Sequence, residues 1–97
     1  MAWDLDASLE HILDALEELD IEDRTYVVFM SDNGAAGNRR RPNNTPLFAG
    51  KGTLYEGGIR VPLIITGPGF RSGYDSTAVS GVDLFATFAA WAGADIE

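Results

Sequence analysis

The chain has 97 residues, enough for one small domain with a thin stability margin. Its apolar content of 45% is that of a globular protein, and a formal net charge of -8 argues against nonspecific binding to nucleic acid or to anionic membranes. With no cysteine and a single histidine, His11, the chain cannot form disulfides, thiolate metal sites, a cysteine nucleophile or a multi-imidazole zinc site.

The opening stretch, MAWDLDASLE, is acidic and lacks the basic and apolar regions of a signal peptide. No apolar run approaches the roughly 20 residues that a membrane span needs, and the compartment stays open. From Leu5 the apolar residues fall at Leu5, Leu9, Ile12, Leu13, Leu16 and Leu19, which predicts a helix with one apolar face. Asp4 or Asp6 suits its cap, and DIED at 20–23 ends it in a charged turn. Burying each leucine fully is worth roughly 1.5–3 kcal/mol, so this face needs a partner.

TYVVFM at 25–30 is β-branched and aromatic without alternation, which predicts a strand buried on both faces. A helix followed by a buried strand suggests half of a parallel βαβ unit. Residues 33–50 are rich in Gly, Asn, Pro and Arg and read as a long loop, of the kind that is usually functional or disordered. IRVPLIIT at 59–66 is a second apolar strand, with Pro62 expected near its start or at an edge. After a turn-rich stretch, residues 82–92 carry Leu84, Phe85, Phe88 and Trp91 on one helical face. Ser80 and Asp83 have capping-box spacing, and Gly93 is a plausible stop. The order is helix, strand, long loop, strand, helix. Two apolar strands make a poor sheet alone, so the chain is expected to be a piece of a larger α/β sheet or to complete one by self-association.

Few residues in the chain suit chemistry. Asp32 and Asn33 follow the first strand, where ligands gather in open α/β sheets, and they offer two hard oxygen donors of the kind Ca²⁺ or Mg²⁺ prefers. Asp-Asn-Gly is equally a turn former, which is its commoner use, and two donors fall short of calcium's usual 6 to 8 or so. Lys51 lies between Gly50 and Gly52, which let backbone approach an anionic ligand closely; a solvated loop lysine reads the same way. Glu56 and Arg60 suit a bracing ion pair. Arg39, Arg40 and Arg41 lack interleaved aromatics and read as a solvated loop, or as a contact to an anionic substrate. His11 reads as a surface residue of the first helix. Trp3 and Trp91 read as packing residues.

Three stretches together are more specific: YVVFMSDNGAAG, PLFAGKGTLYEGGIRVPLIITGPG and VSGVDLFATFAAWAGA. They resemble the later part of the catalytic domain of type I sulfatases, the formylglycine-dependent, arylsulfatase-like members of the alkaline-phosphatase-like superfamily. The likeness extends upstream through DASLEHILDALEELDIEDRT. It implies an α/β fold and a partial sulfatase catalytic domain over residues 1–97. It further implies Asp32 and Asn33 as metal ligands in half of a calcium site, and Lys51 as a catalytic and substrate-binding residue that touches the sulfate group and the leaving oxygen. Glu56, Arg60 and Pro62 match the frame of the motif and are given a bracing role.

The resemblance also shows what the chain lacks. None of Pro42, Pro46, Pro62 and Pro68 lies in a Cys/Ser-x-Pro-x-Arg motif, the source of the formylglycine, and no early strand ends in an Asp-Asp pair. His11 does not match the family's catalytic histidine. The expectation is therefore a fragment of a sulfuric ester hydrolase, inactive as the isolated chain, that self-associates through exposed strands and apolar helix faces. The alternative is a non-catalytic module on the same scaffold that binds an anion or a partner through Arg39 to Arg41 and Lys51.

Overall fold

A computed structural model describes residues 2–36 and 44–95. The chain begins with α1 (Ala2–Glu18), followed by a 3₁₀ turn (Glu22–Arg24) and β1 (Val27–Met30). After the long loop come a one-turn helix, α2 (Glu56–Ile59), β2 (Leu63–Thr66) and α3 (Asp83–Trp91). The expected order holds, with α2 added where the sequence suggests loop and strand.

Both long helices end in the same way, with two hydrogen bonds that satisfy their last carbonyls. At α1, Asp20 takes a left-handed φ of 54°, its N–H donates to the Glu17 carbonyl (2.9 Å), and the Ile21 N–H reaches the Leu16 carbonyl (3.1 Å). At α3, Gly93 takes φ 70° and donates to the Ala90 carbonyl (3.0 Å), while the Ala94 N–H reaches the Ala89 carbonyl (2.9 Å). This is the Schellman arrangement. The start of α3 carries half of the expected capping box: the Ser80 N–H donates to the Asp83 carboxylate at 2.7 Å, and the cap residue, Val82, makes no side-chain cap hydrogen bond.

The two strands pair antiparallel, with Val27 opposite Thr66 and Met30 opposite Leu63. The parallel βαβ unit that a helix followed by an apolar strand suggests concerns a strand on the other side of α1, not this pair, whose strands run in opposite directions. The physical reason lies in the connection between the strands. Residues 31–62 leave β1 and return to the same end of the sheet, where the Ser31 N–H meets the Pro62 carbonyl at 3.4 Å. Pro62 has no N–H to give and stands just outside the strand, as expected. The strands are half-buried rather than buried on both faces, and Met30 is exposed.

The apolar face of α1 stays largely open: Leu5, Ile12, Leu13 and Leu19 are all exposed. Leu13 and Leu16 border a shallow cleft of about 210 Å³ with Val27 and Thr66. An aromatic cluster joins α3 to the sheet. Trp91 stacks on Tyr26 with ring centroids 4.3 Å apart, and Phe70 stands edge-on to both. Trp91 packs as expected, whereas Trp3 is 87% exposed. The radius of gyration, 16.2 Å, exceeds the roughly 13 Å of a compact 100-residue domain. Among the described residues, Ala49 is the sole buried hydrophobic side chain. The described residues are not organised around a core of their own.

Candidate functional site

Antiparallel pairing places the end of β1 beside the start of β2, so that SDNG and the stretch around Lys51 share one mouth of the sheet. Backbone fills the space between them. Gly34 is buried, and its N–H donates to the Gly58 carbonyl at 3.0 Å. A β-carbon at Gly34 would fall inside the Gly57 carbonyl group, so only glycine permits this approach. The Lys51 N–H donates to the Ala35 carbonyl at 3.2 Å, which ties the lysine loop to the residues just past Asp32 and Asn33. The glycines flanking Lys51 divide their roles. A β-carbon at Gly50 would stand 2.6 Å from the Ala35 carbonyl oxygen, whereas Gly52 faces open space but takes φ 82°.

α2 closes the third side. The Gly57 N–H donates to the Phe48 carbonyl at 2.9 Å, and Gly57 and Gly58 are buried. Asn44 sits among these segments. Its Oδ1 accepts from the Ala35 N–H (3.2 Å), and its Nδ2 donates to the carbonyls of Ala49 (3.0 Å) and Gly57 (2.7 Å). Nothing in the sequence marks Asn44 out from its neighbour Asn43. Spacing cannot show which amide of a polar loop meets three backbone groups.

Asp32 is exposed and Asn33 half-exposed at this mouth. The Ser31 hydroxyl donates to the Asn33 carbonyl at 2.8 Å, and Asn33 Nδ2 donates to one Asp32 carboxylate oxygen. Among the described residues no donor reaches the other Asp32 oxygen or the amide oxygen of Asn33. This pair of hard oxygens fits a hard divalent cation in kind, and supplies only part of its usual shell, enough for weak binding. Among the described residues no three of His, Asp and Glu converge to complete a shell. The Lys51 side chain is exposed. Glu56 and Arg60 form the expected ion pair at 3.4 Å, but both side chains are more than 60% exposed, so the pair is a weak brace. His11 lies exposed on α1. Arg39, Arg40 and Arg41 lie outside the described residues.

Fold and site together define a class: an α/β segment with its polar, ligand-suited residues gathered where the strands meet their loop. The family model described as Sulfatase matches residues 3–94. A sulfatase from Formosa agariphila is 40% identical over 103 residues, covering 95% of this chain and 18% of its own length. Human N-acetylgalactosamine-6-sulfatase is 39% identical over 95 residues (93% and 18%), and human arylsulfatase A is 36% identical over 96 residues (96% and 19%). The chain belongs to the sulfatase family, and through it to the alkaline-phosphatase-like superfamily. It spans a little under a fifth of the length of these relatives.

Proposed function

We propose that residues 1–97 form part of a sulfatase catalytic core, a sulfuric ester hydrolase in which Asp32 and Asn33 are two of the calcium ligands. Lys51 contacts the sulfate group and the leaving oxygen of the ester. The observation that supports this reading most directly is the hydrogen bond from the Lys51 N–H to the Ala35 carbonyl. It joins the lysine loop to the backbone three residues beyond Asp32.

Each residue has a separate task. The Asp32 carboxylate contributes negative charge and the Asn33 amide a neutral oxygen, the mixture that hard cations take. Calcium, when bound, supplies a template and Lewis acid for the sulfate oxygens. The Lys51 ammonium faces the charge that develops on the departing alkoxide or phenoxide, and it is worth more there once water is excluded. The remaining calcium ligands and the formylglycine nucleophile are not among these 97 residues, so the chain by itself does not turn over sulfate esters. The open apolar faces of α1 and α3 and the exposed strand edges favour self-association of the isolated chain. Among the described residues no helix is long and apolar enough to cross a membrane.

Calorimetric titration with calcium chloride tests the metal reading. A weak specific heat is expected, and Asp32→Ala is expected to abolish it. Heat that survives Asp32→Ala would refute the assignment and favour a non-catalytic module that uses the same scaffold.

A further inference from the structure

We propose that Asn44 is the positioning residue of this site: a single side-chain amide that fixes the Lys51 loop against the Asp32–Asn33 turn. Its functional meaning rests on the reading above, while its geometry stands independently of it. An asparagine amide offers two N–H donors and a carbonyl acceptor, and here three hydrogen bonds use both ends of it. The acceptor takes the Ala35 N–H, from the segment that follows Asp32 and Asn33. Nδ2 reaches the Ala49 carbonyl, two residues before Lys51, and the Gly57 carbonyl in α2. No other side chain among the described residues bridges these three segments. The other side-chain hydrogen bonds and the Glu56–Arg60 pair here stay within five residues along the chain.

The chemistry is specific to asparagine. Aspartate keeps the acceptor but loses both donations and sets a charge against two carbonyl oxygens. Glutamine carries the same groups one methylene too far out. A serine has one donor for two carbonyls. The Asn44 contact also falls on a costly piece of backbone. Ala49 holds φ 64°, a left-handed conformation that disfavours any residue with a β-carbon, and its carbonyl is one that Asn44 grips. The clamp thus holds the chain in the conformation that turns it into Lys51.

The test is amide hydrogen exchange by NMR on the isotope-labelled chain, together with a calcium chloride titration followed at Asp32 and Asn33. In Asn44→Ala the amides of Gly34, Lys51 and Gly57 are expected to exchange about tenfold faster, the effect of losing about one net hydrogen bond, with those of β1 and β2 unchanged. Asn44→Asp is expected to keep the Ala35 amide protected while Gly57 loosens, a split that general destabilisation cannot produce. The calcium response at Asp32 and Asn33 is expected to weaken in Asn44→Ala. Unchanged exchange at Lys51 and Gly57, an equal rise across both strands, or no protection at these amides in the unaltered chain would each overturn the proposal. If exchange follows the prediction while the unaltered chain shows no calcium response, the positioning role stands and the metal reading fails.

Discussion

Gly34→Ala is the sharpest test of a mouth built from backbone. A β-carbon there would penetrate the Gly57 carbonyl group, with the Gly57 carbonyl carbon at 2.8 Å and the Gly58 α-carbon at 2.9 Å. Overpacking costs roughly 1–3 kcal/mol when side chains can yield. Here every obstructing atom is backbone, and Gly57 is held by Phe48 and Asn44, so about 3 kcal/mol applies. The hydrogen bond from Gly34 to Gly58 would be lost with it, for about 1 kcal/mol more. A total of about 4 kcal/mol lowers the population of the closed mouth roughly a thousandfold. That exceeds what a loop with so little buried apolar surface holds in reserve. Limited trypsin digestion reads the effect, because cleavage after Lys51 requires the loop to open. Arg71, exposed in the stretch after β2, gives an internal reference rate. Cleavage at Lys51 relative to Arg71 is expected to rise steeply in Gly34→Ala. It should stay unchanged in Gly73→Ala, where a β-carbon meets nothing within 4 Å. An unaltered ratio in Gly34→Ala would refute the close approach.

Trp91→Ala removes three ring contacts, to Tyr26, Phe70 and Phe88, for about 1.5–4.5 kcal/mol at the usual range per pair. The near-ultraviolet dichroism of the cluster is expected to collapse while the absolute rate of trypsin cleavage at Lys51 holds; retained dichroism would mean that α3 is not anchored there. The Asp75 carboxyl lies below the usual carboxylate range, first because of its hydrogen bond with the Thr77 side chain and then because of the Thr77 N–H at 2.7 Å. The folded chain therefore favours the ionised form. This contribution is complete above the ordinary carboxylate pKa and is lost as pH falls through the depressed one. The Thr77 amide shift is expected to titrate with a midpoint below that of an unstructured aspartate, and a midpoint at the ordinary value would remove the contact. Sedimentation at micromolar concentration is expected to show assemblies larger than the monomer, and a single monomeric species would count against self-association.

Local physics was legible in the sequence, and long-range pairing was not. The spacing from Leu5 to Leu19 gives α1, because helical periodicity is a property of the residues themselves; only its start differs, at Ala2. Gly93 marks the end of α3 for the same reason. The two apolar runs identify the strands, but a run buried between neighbours looks alike in parallel and antiparallel sheets, so the pairing direction had to come from the return of the loop. Glu-Gly-Gly-Ile makes a poor helix by propensity, and α2 forms because the turn around Gly57 and Gly58 is held from Phe48 and Asn44. Asp32, Asn33 and Lys51 stand out through the SDNG and GKGTLYEGGIRVP stretches, whereas Asn44 is one amide in a polar loop.

The distribution of burial explains why such a mouth keeps its shape in an otherwise open chain. Hydrophobic side chains tolerate rotamer changes, so a site resting on the exposed faces of α1 and α3 would shift with whatever covers them. Gly34, Gly57 and Gly58 instead bring carbonyls and N–H groups to hydrogen-bond distance with no side chain between them. Backbone in that arrangement has few alternatives, because each displaced group loses a partner and each added β-carbon collides. The turn that carries Asp32 and Asn33 and the loop that carries Lys51 are therefore fixed to each other within the segment itself. A charged ligand needs its contacts held to a fraction of an ångström, and the part of this chain that can hold them is the part built from glycine and one asparagine.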